Sequence, residues 1–221
     1  MTCRASLLTT VAVVVTLALA LASGSTLEGQ AARGKTALMK SDQLKEQAPA
    51  TFKANFDTSL GAFVVETHRD WAPLGADRFY NLVKAGFYDG NRFFYVTPRV
   101  ATWGIHGDPE VAKAWIYAKI PNDPPHVQSN KRGYAAFAQS NGRKTQTFIN
   151  ILDNLSFDSL VSPFGQVVSG MNIVEKLYAG YGEMYPTGNA PTMTHMLTGG
   201  NAYLEKEYPK MDYIKTATIA P

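Results

Sequence analysis

Residues 81–104 read NLVKAGFYDGNRFFYVTPRVATWG and contain, in order, a helix end, a tight turn and a strand. The apolar residues before Gly86 recur at helical spacing, and this glycine is placed to end the helix at its C′ position. The pair Asp89-Gly90 then predicts a tight turn. Residues 92–97 are rich in aromatic and β-branched side chains and precede a proline, which is typical of a strand.

A hairpin and the start of that helix are predicted N-terminal to this segment. Apolar residues alternate with polar ones over 52–56, TSLG at 58–61 is a turn sequence, and 62–67 is again β-prone. Pro73 suits an early helical position, so the helix is expected over 74–85.

Two further apolar segments follow a long polar loop at 104–131. The first contains the strands 134–139 and 145–150; in the second of these, Gln146 and Phe148 fall on one face and Thr147 on the other. Taken alone, Phe148 would be interpreted as a core aromatic. Residues 162–177, SPFGQVVSGMNIVEKL, predict a strand, a turn and a second helix.

These segments resemble the cyclophilin-type peptidyl-prolyl isomerases. NLVKAGFYDG matches that family almost letter for letter, and FDTSLGAFVVE at 56–66 and FGQVVSGMNIVEKL at 164–177 are close to its other motifs. The resemblance runs from about 51 to 219. It implies a mainly β fold, an eight-stranded antiparallel cyclophilin-like barrel capped by two α-helices, within a domain at 51–221 whose last strand, 213–219, lies beside the first.

The resemblance also implies a substrate surface. The family uses a glutamine to hold peptide backbone and a phenylalanine to floor the proline pocket, and the matching positions here are Gln146 and Phe148. The other substrate-binding residues implied are Ala138, Gln139, Phe157 and Trp103.

The catalytic side of the cleft departs from the family pattern. Tyr95 stands where the family has its catalytic arginine, and the family's pocket histidine is absent. The family also has a glutamine shortly after its catalytic arginine. Counting forward from Pro98 aligns this glutamine with Trp103, and counting back from Gly104 with a one-residue gap aligns it with Thr102. Because a neutral phenol is a weaker donor than a guanidinium, we expect an isomerase of reduced efficiency that assists the folding of exported proteins. The alternative is a catalytically impaired proline-peptide-binding or chaperone module on the same fold.

The first 50 residues predict export. Residues 1–22 have a short basic region with Arg4, an apolar run and an Ala-Leu-Ala site at 20–22, as in a signal peptide. Cleavage near Ala22 would give a periplasmic or secreted protein. The alternative is a protein anchored in the membrane by residues 5–22. Residues 23–50 are polar and are interpreted as a linker, with a short helix possible over 36–47.

Composition excludes several other classes of protein. The formal net charge is only +3 and the basic residues are dispersed, so no nucleic-acid partner is expected. The four histidines lack ligand spacing, so neither a metal nor another cofactor is expected; they are His68, His106, His126 and His195. The expected partners are Xaa-Pro segments of unfolded or exported polypeptides, bound by a monomer.

Overall fold

The computed structural model describes residues 34–139, 142–184 and 186–220. The chain divides into two compact units, residues 1–37 and residues 38–221. Of the first unit the structure describes 34–37, which are helical, so the predicted signal peptide lies outside the described residues. In the described part of the chain, no helix has both the length and the apolar character needed to cross a membrane.

The second unit is built on one eight-stranded sheet whose strand pairs are all antiparallel. The strand order is β3-β4-β6-β5-β7-β2-β1-β8. The strands are β1 (Thr51–Thr58), β2 (Gly61–His68), β3 (Tyr95–Val96), β4 (Val100–Trp103), β5 (Tyr134–Phe137), β6 (Thr147–Asn150), β7 (Pro163–Ser169) and β8 (Ile214–Ile219). The prediction of a mainly β, eight-stranded antiparallel fold is confirmed.

The sheet curls until its two edges meet. A single antiparallel bridge joins Arg92, just before β3, to Tyr213, just before β8. Beside it, the Phe93 N–H donates to the Asp212 carbonyl over 3.0 Å, and the Ile214 N–H donates to the Asn91 carbonyl over 2.9 Å. β8 also pairs with β1, as the sequence predicts.

Besides the helical residues 34–38, four helices accompany the sheet in the described residues, rather than the two predicted to cap the barrel. They are α1 (Pro73–Lys84), α2 (Pro109–Ala114), α3 (Met171–Val174) and α4 (Met193–Glu207), and a 3₁₀ turn covers Leu155–Phe157. The predicted second helix is only the single turn α3. The longest helix, α4, was not predicted, because two consecutive glycines interrupt its pattern; its backbone leaves helical geometry at Gly200, with φ of 55°.

Aromatic rings fill the interior of the barrel. In β1 the side chains alternate between exposed and buried along the whole strand, which places Phe56 in the core. Phe56 stacks on Phe63 with ring centroids 4.8 Å apart, and Trp103 meets Phe56 edge-on at 5.7 Å. Trp103 has no exposed surface.

The segment before β1 packs against the barrel instead of forming a linker up to residue 50. Leu38 and Ala48 are buried, and the Trp115 indole N–H donates to the Leu38 carbonyl over 2.8 Å. The Asn81 amide donates to the Glu46 carbonyl over 2.7 Å. The compact unit therefore begins at Leu38, earlier than the predicted boundary at Thr51, and the helix considered over 36–47 is limited to 34–38.

Candidate active site

A groove of about 270 Å³ opens on the outer face of β3, β4 and β6. Its walls combine strand residues with residues from the segment after β5, the 3₁₀ turn and the chain beyond α3. The lining residues are Phe94, Tyr95, Val100, Thr102, Ala138, Gln146, Phe148, Phe157 and Met184.

The register of the sheet fixes the middle of this groove. Tyr95 pairs with Thr102 across β3 and β4, Thr102 pairs with Phe148 across β4 and β6, and Phe148 pairs with Ala136 across β6 and β5. Directly paired residues have their Cβ atoms about 5 Å apart, so the four side chains form a row across one face. Tyr95 and Phe148 are thus two strands apart, which corresponds to a distance of roughly 10 Å.

Phe148 belongs to a small apolar cluster of its own rather than to the main core. Thr147 and Ile149 on either side face the barrel interior, so Phe148 faces outward. Its ring is 6 % exposed and meets the Phe157 ring edge-on, with centroids 6.0 Å apart. Val100 and Val161 complete the apolar surface beneath it. The floor of the groove is therefore apolar and aromatic.

Trp103 does not reach the groove, so its expected role in substrate binding is wrong. In β4, Ala101 and Trp103 point into the core while Val100 and Thr102 line the groove, because successive strand residues face opposite sides. The alternative alignment, which places Thr102 at the family's glutamine position, fits the structure. Gln139 is half-buried next to Ala138 and does not line the groove.

Tyr95 is half-buried at the edge of the groove. Burial raises the pKa of its hydroxyl, and the neighbouring Glu183 carboxylate raises it further through its charge and a hydrogen bond; the Arg99 guanidinium acts in the opposite direction. The phenol therefore stays protonated at neutral pH and can donate a hydrogen bond.

Comparison with known proteins identifies the fold family. Residues 53–197 match the family described as cyclophilin type peptidyl-prolyl cis-trans isomerase/CLD. The chain belongs to this family. A peptidyl-prolyl cis-trans isomerase of Acinetobacter baylyi is 28% identical over 160 residues, which cover 69% of this chain and 80% of the relative. The ppi1 isomerase of Schizosaccharomyces pombe is 30% identical over 127 residues, 54% of this chain and 81% of the relative.

Solved cyclophilins share the fold. A cyclophilin type isomerase of Cryptosporidium parvum superposes with a TM-score of 0.55 at 15% identity and covers 77% of this chain and 98% of its own. The same protein in the presence of the dipeptide Ala-Pro gives a TM-score of 0.54 at 16% identity, with coverages of 76% and 99%. The family match and the named relatives confirm the prediction of a cyclophilin-type isomerase, and these structures confirm its fold.

The chain beyond α3 supplies part of this cyclophilin's groove, which sequence reasoning missed. Met184 lines the groove, and Glu183 beside it reaches the Tyr95 hydroxyl. On the other side, the Gln146 amide donates to the Met193 sulfur over 3.7 Å. No local pattern marks these residues, since they come near the site only through the fold of the tail.

Gln146 separates the groove from a second cavity of about 230 Å³. That cavity lies between α2, α4 and the segment after β4, and its lining includes Gly104, Trp115 and Met193. Gln146 thus lines both of these neighbouring cavities.

Proposed function

We propose that this cyclophilin isomerises Xaa-Pro bonds in exported polypeptides, more slowly than a family member with arginine at position 95. The row of Tyr95, Thr102 and Phe148 across one sheet face carries the proposal, because it sets a donor at a fixed distance from an aromatic floor. The Ala-Pro dipeptide present with the Cryptosporidium relative supports a proline ligand for this groove.

The reaction needs no covalent step. Rotation about an Xaa-Pro bond has a barrier of about 20 kcal/mol, because amide resonance is lost in the twisted state. In the proposed mechanism Phe148 holds the proline ring and Gln146 binds the peptide backbone. The Tyr95 hydroxyl donates to the prolyl nitrogen, whose lone pair is available only in the twisted state. A neutral hydrogen-bond donor is worth roughly half a charged one, so we expect a lower rate than with arginine at this position.

Binding without catalysis is the second candidate, and Glu183 is the observation that favours it. Its carboxylate raises the pKa of the Tyr95 hydroxyl through its charge and hydrogen bonding, so it competes with the prolyl nitrogen for the single phenolic proton. If this competition dominates, the groove binds proline peptides without accelerating their isomerisation. Glu183→Gln, which removes the charge, should then raise the rate.

Substitution at Tyr95 tests the two candidates. Tyr95→Phe removes only the hydroxyl and should lower kcat/KM on a proline tetrapeptide severalfold, whereas Tyr95→Arg should raise it. Tyr117→Phe is the matched control, because that tyrosine is 87% exposed and does not line the groove. A wild-type protein that binds the peptide but does not accelerate isomerisation, and is unchanged by Tyr95→Arg, would establish the binder.

We also propose that the protein is exported, because residues 1–22 have the pattern of a signal peptide. Cleavage after Ala22 would release a periplasmic or secreted monomer that assists the folding of exported proteins, with 23–37 preceding the compact unit. N-terminal sequencing of the protein recovered outside the cytoplasm should give Ser23 as the first residue. Recovery of the intact chain from the membrane fraction would instead support an anchor at 5–22.

A further inference from the structure

Arg99 holds a fixed position at the rim of the groove. Its Nε donates to the Asn154 Oδ1 over 2.8 Å, and its Nη2 lies 3.4 Å from the Ser156 hydroxyl. Asn154 is buried and returns a hydrogen bond to the Arg99 carbonyl over 3.1 Å, so the two residues hold each other. The guanidinium carbon lies 5.1 Å from the centre of the Phe157 ring, in a cation–π contact with a residue that lines the groove.

The charge of this guanidinium is not balanced by an ion pair. Both of its side-chain hydrogen-bond partners are neutral, and among the described residues no carboxylate lies within ion-pair distance of it. Other arginines of the chain do have such partners: Arg69 with Asp77, Arg92 with Glu205, Arg132 with Glu175, and Arg143 with Asp123. Arg99 is therefore a solvent-accessible cation held in place mainly by neutral groups and an aromatic face, available to an incoming anion.

Arg99 lies close enough to the groove floor for a residue beside a seated proline to approach its guanidinium. Its guanidinium is 5.1 Å from the Phe157 ring, which is 6.0 Å from the Phe148 ring, so it lies within about 11 Å of the floor. Successive Cα atoms are 3.8 Å apart, and an acidic side chain adds several ångströms. An acidic residue next to a proline seated on Phe148 can therefore reach Arg99.

We propose that Arg99 selects substrates with an acidic residue directly beside the proline. The inference rests on the proposed function and names the substrate class of the same groove. Glu183 sits near Tyr95 and repels an acidic group there, so the two rim charges also orient the peptide: its acidic residue lies toward Arg99.

The test uses tetrapeptides in which glutamate, glutamine or lysine stands immediately before or immediately after the proline. We expect the full-length protein to prefer glutamate over glutamine at one of these positions by about threefold to tenfold, both in binding affinity and in kcat/KM, the range expected for a partly exposed, oriented ion pair. Lysine should be disfavoured there, and the preference should shrink in high salt.

Arg99→Gln should abolish the difference between the glutamate and glutamine peptides, and Arg99→Lys should keep part of it. Arg132→Gln is the matched control, because that arginine is exposed, pairs with Glu175 and does not line the groove. A glutamate preference that survives Arg99→Gln overturns the proposal, as does an equal loss of kcat/KM on all three peptides. A preference seen in binding without any isomerisation supports the role of Arg99 and refutes the isomerase.

Discussion

Asp123 connects the loop after α2 to the start of α1. Its carboxylate accepts the N–H groups of Leu74 and Gly75 over 2.9 and 2.8 Å, and it pairs with the Arg143 guanidinium over 2.7 Å. Both charged side chains are only 2% exposed. Because Ala72 at the N-cap has no side-chain cap, a carboxylate 48 residues away satisfies the first turn of α1.

Replacing Asp123 by alanine removes two different interactions. Loss of a helix cap costs about 0.5 to 2 kcal/mol, and leaving a buried guanidinium unpaired costs about 3 to 5 kcal/mol. We therefore expect Asp123→Ala to lower the free energy of unfolding by about 4 to 6 kcal/mol, a large part of the 5 to 15 kcal/mol typical of a domain. Arg143→Met should cost less, about 1 to 3 kcal/mol, because the carboxylate keeps its two helix N–H donors.

Urea denaturation of the two single variants and of the double variant measures these energies. The double variant should be more stable than the sum of the single losses predicts, since Asp123→Ala no longer strands a charge once Arg143 is gone. Glu175→Ala, which breaks the exposed pair with Arg132, is the control and should change stability by less than about 1 kcal/mol. A loss below about 1 kcal/mol for Asp123→Ala, or strict additivity, would refute this reasoning.

Three further predictions concern the groove and the core. Phe148→Ala should weaken binding of Xaa-Pro peptides and also lower stability, because the residue is only 6% exposed and packs on Phe157; unchanged peptide binding by the folded variant would contradict its place in the groove. Gly104→Ala should strongly destabilise the protein and displace Gln146, because the added Cβ would lie 2.2 Å from the Thr145 carbonyl oxygen and the backbone φ is +109°; an unchanged urea midpoint would contradict this. Burial raises the pKa of the Tyr88 hydroxyl, so the folded state favours the neutral phenol. The stabilisation that this gives is fully present below the pKa of tyrosine in the unfolded chain, near 10, and it is lost as the pH rises above that value. Unfolding measured from pH 8 to 11 should show this decline, and Tyr88→Phe should flatten it.

Local sequence was sufficient for most of the sheet. The alternation in 52–56, the Gly86 stop and the 164–169 strand correspond to elements whose residues specify them within a short window. The same rule of alternation places Gln146 and Phe148 on the groove side of β6. It also shows why Trp103 was assigned to the wrong side, since an offset of one residue in β4 exchanges the two faces.

Contacts between distant residues could not be predicted in this way. The Asp123–Arg143 pair, the approach of Glu183 to Tyr95, and Met193 beside Gln146 join parts of the chain 20 or more residues apart. Their positions depend on how loops and the tail pack, which no periodicity encodes. The paired glycines in α4 hid the helix that brings Met193 to the site.

The position of β8 has a consequence for how the chain reaches its final state. β1 lies between β2 and β8, so both of its edges are paired only after residues 214–219 have been synthesised. The bridge between Arg92 and Tyr213 likewise joins segments that are far apart in the chain. Until residues 214–219 are released from the ribosome, an unpaired strand edge stays open to other chains, and the barrel cannot close. Closure of the barrel therefore comes late, and deletion of residues 214–219 would leave that edge of β1 exposed.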